Sequence, residues 1–127
     1  MTPGMGQSSD GDGFGIMTYG NNSLVQYNTL NNLGYLGITF LGTNTTIQNN
    51  LIQNVCQVKN DGAAIYTYDG DVPGSTGTGK KVLSNICIGS GSSYVDYGTS
   101  GAASSYGIYL DGSASYIAVT GNTVADC

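Results

Sequence analysis

The best candidates for catalytic side chains in this sequence are three aspartates, Asp69, Asp71 and Asp111. Hydrolysis of a glycosidic bond needs two carboxyl groups beside the bond, about 5–5.5 Å apart for retention and about 6.5–9.5 Å apart for inversion. Asp69 and Asp111 follow equivalent isoleucines of a repeat by four and three residues. We therefore predict that Asp69 and Asp111 form the catalytic pair. Asp71, in the same loop as Asp69, could take the place of Asp69.

Four tyrosines are the candidates for substrate binding: Tyr19, Tyr66, Tyr68 and Tyr109. Each stands one or three residues after an isoleucine of the repeat, so strand alternation turns it away from the core if that isoleucine points inward. A tyrosine stacks on the apolar face of a sugar ring while its hydroxyl bonds to sugar hydroxyls. The alternative is that these rings only stabilise an exposed sheet through cross-strand contacts. The sequence leaves both interpretations open.

The scarcity of basic residues excludes several function classes. Three lysines, Lys59, Lys80 and Lys81, are the only cationic side chains, and the formal net charge is -5. Nucleic acid and anionic membrane surfaces are therefore not expected as partners. The absence of His excludes serine-triad and cysteine-histidine mechanisms within this chain, and the absence of Arg disfavours a β-elimination lyase. Lys80 and Lys81 are expected to close a solvent-facing loop.

Metal binding has weak support in the sequence. The Asp-Gly-Asp runs at 10–12 and 69–71 resemble the start of a calcium loop, but neither continues to the full ligand pattern. We predict no metal and no cofactor, with Ca²⁺ as an open alternative. The three cysteines lack the short spacing of zinc or redox motifs and are expected to act as small apolar residues.

One asparagine recurs at an equivalent point of each repeat copy: Asn28, Asn50, Asn85 and Asn122. Apolar residues stand three positions before and two positions after each of them. Short alternating segments between Gly and Asn turns predict strands, with no helical period of comparable length. Like residues stack in such a repeat, so the apolar columns form a core and the asparagine amides form a structural ladder.

These observations predict an all-β solenoid, a parallel β-helix of about four rungs in a single domain over 1–127. The rungs begin near residues 13, 35, 62 and 105, and inserted loops lie near 69–80 and 91–105. No apolar run approaches the ~18 residues that span a bilayer, so membrane insertion is not expected.

The segments 60–68 (Asn-Asp-Gly-Ala-Ala-Ile-Tyr-Thr-Tyr) and 107–112 (Gly-Ile-Tyr-Leu-Asp-Gly), together with the asparagine ladder, resemble rungs of the right-handed parallel β-helix superfamily. This superfamily is typified by pectate lyases, polygalacturonases and related secreted bacterial repeat proteins. The resemblance implies an extracellular or cell-surface location, although the chain begins with no signal peptide. It also implies a sugar-binding groove on the outer face of one sheet, and a chain that is a fragment of a longer β-helix.

Three hypotheses about function follow. The first is part of a glycoside hydrolase, which we favour over a lyase if the chain is an enzyme. The second is a non-catalytic carbohydrate-binding or adhesive module. The third is a structural β-helix that associates with itself through its open ends, because unpaired strand edges invite further strands. A polysaccharide or glycan is the expected partner in the first two.

Overall fold

The computed structural model describes residues 13–70, 72–91 and 104–127, and these residues form strands and turns without a helix. Twelve short strands in the described part of the chain make three parallel sheets. Sheet A contains β1 (Ile16–Thr18), β4 (Ile38–Phe40), β7 (Gly62–Tyr68) and β10 (Ser105–Asp111). Sheet B contains β2 (Leu24–Gln26), β5 (Thr46–Gln48), β8 (Lys80–Leu83) and β11 (Ile117–Thr120). Sheet C contains β3 (Thr29–Asn31), β6 (Leu51–Val55), β9 (Ile86–Ser90) and β12 (Thr123–Ala125).

The chain therefore coils through one strand of each sheet in turn and then repeats. Three consecutive strands make one rung, and rungs 1 to 4 stack in sequence order. Every strand pairing is parallel, so each sheet runs through all four rungs. The predicted parallel β-helix is confirmed.

The stacking places like residues above one another. In sheet A, Ile38 pairs with the isoleucine of the rung on either side of it, and Ile65 pairs in turn with Ile108. In sheet B, Ile47 lies between two valines of neighbouring rungs. The side chains of rungs 2 and 3 in these columns are fully buried. The hydrophobic core therefore lies in the two middle rungs. Each Å² of apolar surface buried there stabilises the fold by about 25 cal/mol.

The asparagine ladder joins all four rungs. Asn28 donates from Nδ2 to Oδ1 of Asn50 (2.9 Å), Asn50 donates to Asn85 (2.9 Å), and Asn85 donates to Asn122 (2.9 Å). The backbone N–H of each lower asparagine donates to the same oxygen. Asn50 and Asn85 are buried. Buried amides need such partners, since an unpaired polar group costs ~1–3 kcal/mol, and the ladder supplies them.

The turn beside the ladder bends at the residue before each asparagine. Tyr27, Asn49 and Ser84 have φ of 57°, 53° and 54°, and Gly121 has φ of 70°. Asparagine tolerates left-handed backbone, so the ladder asparagines are themselves candidates for this conformation. In the structure the preceding residue adopts that conformation, which leaves the asparagine amide free to cap the turn from inside.

The three cysteines are free thiols in two different settings. Cys56 and Cys87 are buried, whereas Cys127 is exposed. Burial raises the pKa of Cys56 to about 12 and that of Cys87 to about 12. The two buried thiols act as small apolar side chains, as the spacing predicts. The described residues also contain no helix long and apolar enough to cross a membrane.

Candidate functional site

Asp69 lies inside the solenoid and is paired with Lys80. Nζ of Lys80 is 2.8 Å from Oδ1 of Asp69, and both side chains are fully buried. The other carboxylate oxygen accepts the backbone N–H of Gly74 (2.9 Å) and of Ser115 (3.1 Å). The hydroxyl of Thr76 donates to Oδ1 as well. Four donors thus satisfy this carboxylate.

The inward position of both charged residues follows from strand alternation. Asp69 stands four residues after the inward Ile65, and Lys80 stands two residues before the inward Val82. Even spacing returns a side chain to the same face of a strand. The expectation that Lys80 closes a solvent-facing loop is therefore wrong, because Lys80 enters the core beside Asp69, while Lys81 is exposed.

The electrostatics of Asp69 are those of a stabilised anion. Burial raises the pKa of this carboxyl, but the hydrogen bonds from Lys80, Thr76, Ser115 and Gly74 outweigh it and lower the pKa to about 2. Asp69 is thus ionised at neutral pH. A carboxylate that is held as an anion and closed off from solvent is poorly suited to donate a proton to a substrate.

Asp111 lies on the opposite face of sheet A. It pairs in register with the exposed Tyr68, and its backbone carbonyl accepts the N–H of Asp69 (3.3 Å). Its carboxylate accepts the hydroxyl of Tyr66 (2.7 Å) and the N–H of Gly112 (2.7 Å). The backbones of Asp69 and Asp111 are adjacent, as the spacing predicts, but their carboxylates point to different sides.

The catalytic pairing of Asp69 with Asp111 accordingly stays a prediction. Asp71, the alternative catalytic carboxylate, and the 10–12 run, the possible start of a calcium loop, lie outside the described residues. The described residues contain no group of three or more His, Cys, Asp or Glu side chains that could hold a metal ion.

Three tyrosine rings contact one another on sheet A, and two of them, Tyr66 and Tyr109, interact with Asp111. The rings of Tyr66 and Tyr109 meet edge to face at 5.5 Å, and those of Tyr106 and Tyr109 lie 4.6 Å apart. Burial is the main cause that raises the pKa of Tyr66 above its ordinary value, and the hydrogen bond to Asp111 adds to it. Burial and the charge of Asp111 raise the pKa of Tyr109 to about 12. These hydroxyls remain protonated donors. Tyr106 was not predicted, because it lies beyond the strand positions used to assign outward residues.

Tyr19 lies apart from this cluster and borders an open groove of about 470 Å³. The groove, called the Tyr19 groove below, runs between the turns after β1 and β4 on one side and the loop before β8 on the other. The following residues line it: Tyr19, Asn21, Leu41, Gly42, Thr43, Gly74, Ser75, Thr76, Gly77 and Thr78. No lining residue carries a charge. Its polar groups are hydroxyls, one side-chain amide and backbone amides.

Backbone pairing fixes the wall of the groove. The N–H of Gly42 donates to the carbonyl of Thr76 (2.6 Å), and the N–H of Asn44 donates to that of Thr78 (2.8 Å). Gly77 has φ of 114° and stacks directly on the backbone of Gly42, where a side chain would have no room. The end of the inserted loop is therefore the third-rung counterpart of the turn after β4.

Asp69 and Lys80 hold the base of this loop. The hydroxyls of Ser75 and Thr76 donate to the Asp69 carbonyl and carboxylate respectively, and Nζ of Lys80 donates to the Thr76 hydroxyl (2.7 Å). Two residues of the groove wall are thus tied to the buried ion pair. Tyr19 was predictable from its place in the repeat, whereas the loop side of the groove was not, because a single insertion has no repeat copy to align with.

Tyr68 is the fourth predicted tyrosine. Its ring is exposed and lies over Gly112 and Gly70, where Gly112 provides the space that the ring occupies. It is next to Asp111 in register and does not line the Tyr19 groove. The structure thus places Tyr66 and Tyr109 in the cluster on sheet A, Tyr19 at the groove, and Tyr68 in neither.

Comparison with known proteins finds no match to this chain among family models, curated proteins or solved structures.

Proposed function

We propose that the chain is an extracellular carbohydrate-binding β-helix module that binds a neutral glycan in the Tyr19 groove. The observation that carries the proposal is the chemistry of the groove, in which one exposed aromatic ring stands among hydroxyl and amide groups without a charged side chain. The stacked rungs and the asparagine ladder are also the basis for proposing that the chain belongs to the right-handed parallel β-helix superfamily.

The exposure of Tyr19 supports a stacking role. Its side chain is 61% exposed, although an aromatic ring of this size normally gains from burial. Leu41 occupies the next rung beside it and extends the apolar surface. A pyranose ring placed on this surface buries its apolar face and keeps its hydroxyls at the rim.

The opposite wall supplies the hydrogen bonds. Ser75, Thr76 and Thr78 bring hydroxyl oxygens to the groove. The hydroxyls of Ser75 and Thr76 already donate to Asp69, so they offer acceptors, and Asn21 already accepts the N–H of Thr43 (2.8 Å). A site that pairs with hydroxyls discriminates strongly against ligands that lack them, because its polar groups are then left unpaired. Net charge -5 adds repulsion against acidic polymers. Both features favour a neutral sugar.

Binding is better supported than cleavage. In the described residues, Asp69 is enclosed by Lys80 and backbone amides, whereas Asp111 is engaged by Tyr66 on the other face of the sheet. Two carboxyl groups facing a common bond, as hydrolysis needs, are not found between them. The tyrosine cluster around Asp111 offers a second surface on which a longer glycan could continue.

Affinity electrophoresis tests the proposal directly. Native gels containing neutral polysaccharides should retard the protein, and a gel containing polygalacturonate should not. Tyr19→Ala should weaken retention about tenfold, since an aromatic stacking contact contributes ~0.5–1.5 kcal/mol beyond its buried area. Tyr27→Ala is the matched control, because Tyr27 is an exposed tyrosine of the same rung outside the groove.

Two results would contradict binding at this groove: equal retention of Tyr19→Ala and wild type, or no retention by any neutral polysaccharide. If the wild type releases reducing ends from a polysaccharide and Asp111→Asn does not, the glycoside hydrolase hypothesis would replace the binding proposal.

A further inference from the structure

The carboxylate of Asp111 has neutral partners on sheet A. It accepts the hydroxyl of Tyr66 and interacts with Tyr109. In the part of the chain that the structure describes, the ammonium group of Lys80 pairs with Asp69 inside the solenoid, and no lysine pairs with Asp111. The net charge of -5 also attracts cations to the chain as a whole. A cationic ligand that reaches this part of sheet A therefore meets an unneutralised charge.

The tyrosine rings beside Asp111 add a second attraction for a cation. The hydroxyl of Tyr66 donates to Oδ2 of Asp111 (2.7 Å), and a phenol that donates to an anion is polarised so that its ring becomes richer in electrons. The face of such a ring attracts a cation that lies within about 6 Å of the ring centre. Tyr35 already makes this contact in the chain, since Nζ of Lys59 lies 4.5 Å from its ring centre. Charge and ring faces thus favour the same kind of ligand.

The angles between the rings favour a compact ligand. Tyr66 and Tyr109 meet at an interplanar angle of 78°, and Tyr106 and Tyr109 meet at 51°. Tyr106 is 42% exposed, so part of its ring is open to a ligand. A rounded group can contact more than one of these tilted faces at the same time.

Hydrogen bonding decides which kind of ammonium group fits. A primary ammonium is strongly hydrated and has three N–H donors to satisfy. Where the chain buries one, at Lys80, three oxygens accept from it, among them Oδ1 of Asp69. At Asp111 both carboxylate oxygens already accept a hydrogen bond, one from a tyrosine hydroxyl and one from a backbone N–H. A quaternary ammonium has no N–H, so charge and ring faces are enough to hold it.

We propose that the rings of Tyr66, Tyr106 and Tyr109, together with the Asp111 carboxylate, bind the trimethylammonium group of a small soluble cation such as choline. The methyl groups contact the ring faces, and the carboxylate balances the positive charge. These four residues are called the Asp111 site below. None of them lines the Tyr19 groove, so cation binding and glycan binding can fail independently.

NMR titration of the full chain with choline tests the charge of the Asp111 site. Choline should shift tyrosine ring resonances, and dimethylbutanol, its neutral isostere with carbon in place of nitrogen, should bind at least about tenfold more weakly. Asp111→Asn should weaken choline binding about tenfold for the same reason. Asp126→Asn is the matched control, because Asp126 is exposed just after the last strand and its replacement changes the net charge equally. It should bind choline like the wild type.

A second pair of variants tests the rings. Tyr106→Leu should weaken choline binding, whereas Tyr116→Leu should not, because Tyr116 is a 67% exposed tyrosine of the same rung outside the Asp111 site. Circular dichroism checks folding, and if Asp111→Asn does not fold, the Tyr106 pair and the neutral isostere still decide.

Three results would overturn the proposal: no binding of choline by the wild type, equal binding of choline and dimethylbutanol, or equal choline affinity within either pair of variants. Phosphatidylcholine vesicles separate a soluble cation from a lipid headgroup, because the headgroup phosphate would lie close to the Asp111 carboxylate. The vesicles should not sediment the protein. Sedimentation that Asp111→Asn prevents would overturn the assignment to a soluble cation.

Discussion

Replacing Lys80 by Met tests the buried ion pair from which the inserted loop is built. Lys80 is fully buried, and its ammonium group contacts the Asp69 carboxylate at 2.8 Å. Met keeps much of the side-chain volume but removes the charge and its hydrogen bonds. The carboxylate is then left buried without its cation, which is the situation in which a broken ion pair is most costly.

The magnitude follows from the remaining partners. Breaking a buried pair by removing one partner costs about 3–5 kcal/mol. Asp69 keeps the N–H groups of Gly74 and Ser115 and the hydroxyl of Thr76, so we expect Lys80→Met to lie at the lower end, about 3 kcal/mol. Asp69→Asn should cost more, because it leaves a buried ammonium group with only hydroxyls and one amide oxygen as acceptors. The double replacement should cost less than the sum of the two.

Urea unfolding followed by circular dichroism measures these differences. Lys81→Met is the matched control: Lys81 is the next residue, it is exposed, and its replacement should change the free energy of unfolding by about 0.5 kcal/mol or less. Equal losses of unfolding free energy for Lys80→Met and Lys81→Met would refute the reasoning. So would a double variant whose loss equals the sum of the losses of Lys80→Met and Asp69→Asn.

The acid dependence provides a second measurement on the same pair. The folded-state pKa of Asp69 is about 2, below the ordinary value of 3.8. The pair therefore contributes its full stability above the ordinary pKa and loses it as the pH falls through about 2. The difference in unfolding free energy between wild type and Lys80→Met should thus shrink as the pH falls from about 4 towards 2.

Two further predictions concern the ladder and the cysteines. Asn50→Ala should cost about 2 kcal/mol or more, because it removes the acceptor of both Asn28 donors and the donor to the Val25 carbonyl and to Asn85 Oδ1. Asn28→Ala should cost less at the more exposed end, and urea unfolding compares the two variants. A thiol reagent applied to the native protein should modify Cys127 rapidly and Cys56 and Cys87 only on unfolding, since burial keeps the latter two protonated and covered.

The repeat made most of the fold predictable. Each rung copies the spacing of its neighbours, so a column assigned at Ile16 applies also at Ile38, Ile65 and Ile108, where the structure places it. Apolar residues that recur at the same position of every rung are buried by stacking in one column inside the solenoid. The ladder was predictable for the same reason.

The candidate site was predictable only in part. The spacings of four and three residues already separate Asp69 from Asp111, since even and odd distances from an inward isoleucine lead to opposite faces. Distance along the chain alone suggests that the two carboxylates meet, whereas the parity of the spacing puts them on opposite faces. The same parity turns Lys80 inward. Asp69 accepts the N–H of Gly74 within the inserted loop and that of Ser115, which is 46 residues away in sequence. No local sequence pattern predicts either contact.

The ion pair and the proposed glycan site are connected through the inserted loop. Thr76 donates to the buried carboxylate and also lines the Tyr19 groove, so the charge pair inside the solenoid fixes the wall outside it. A long insertion has few apolar contacts of its own, and without an anchor its ordering entropy would count against ligand binding. The buried aspartate that first suggested catalysis is, in this arrangement, the group that holds the wall of the proposed binding surface in place.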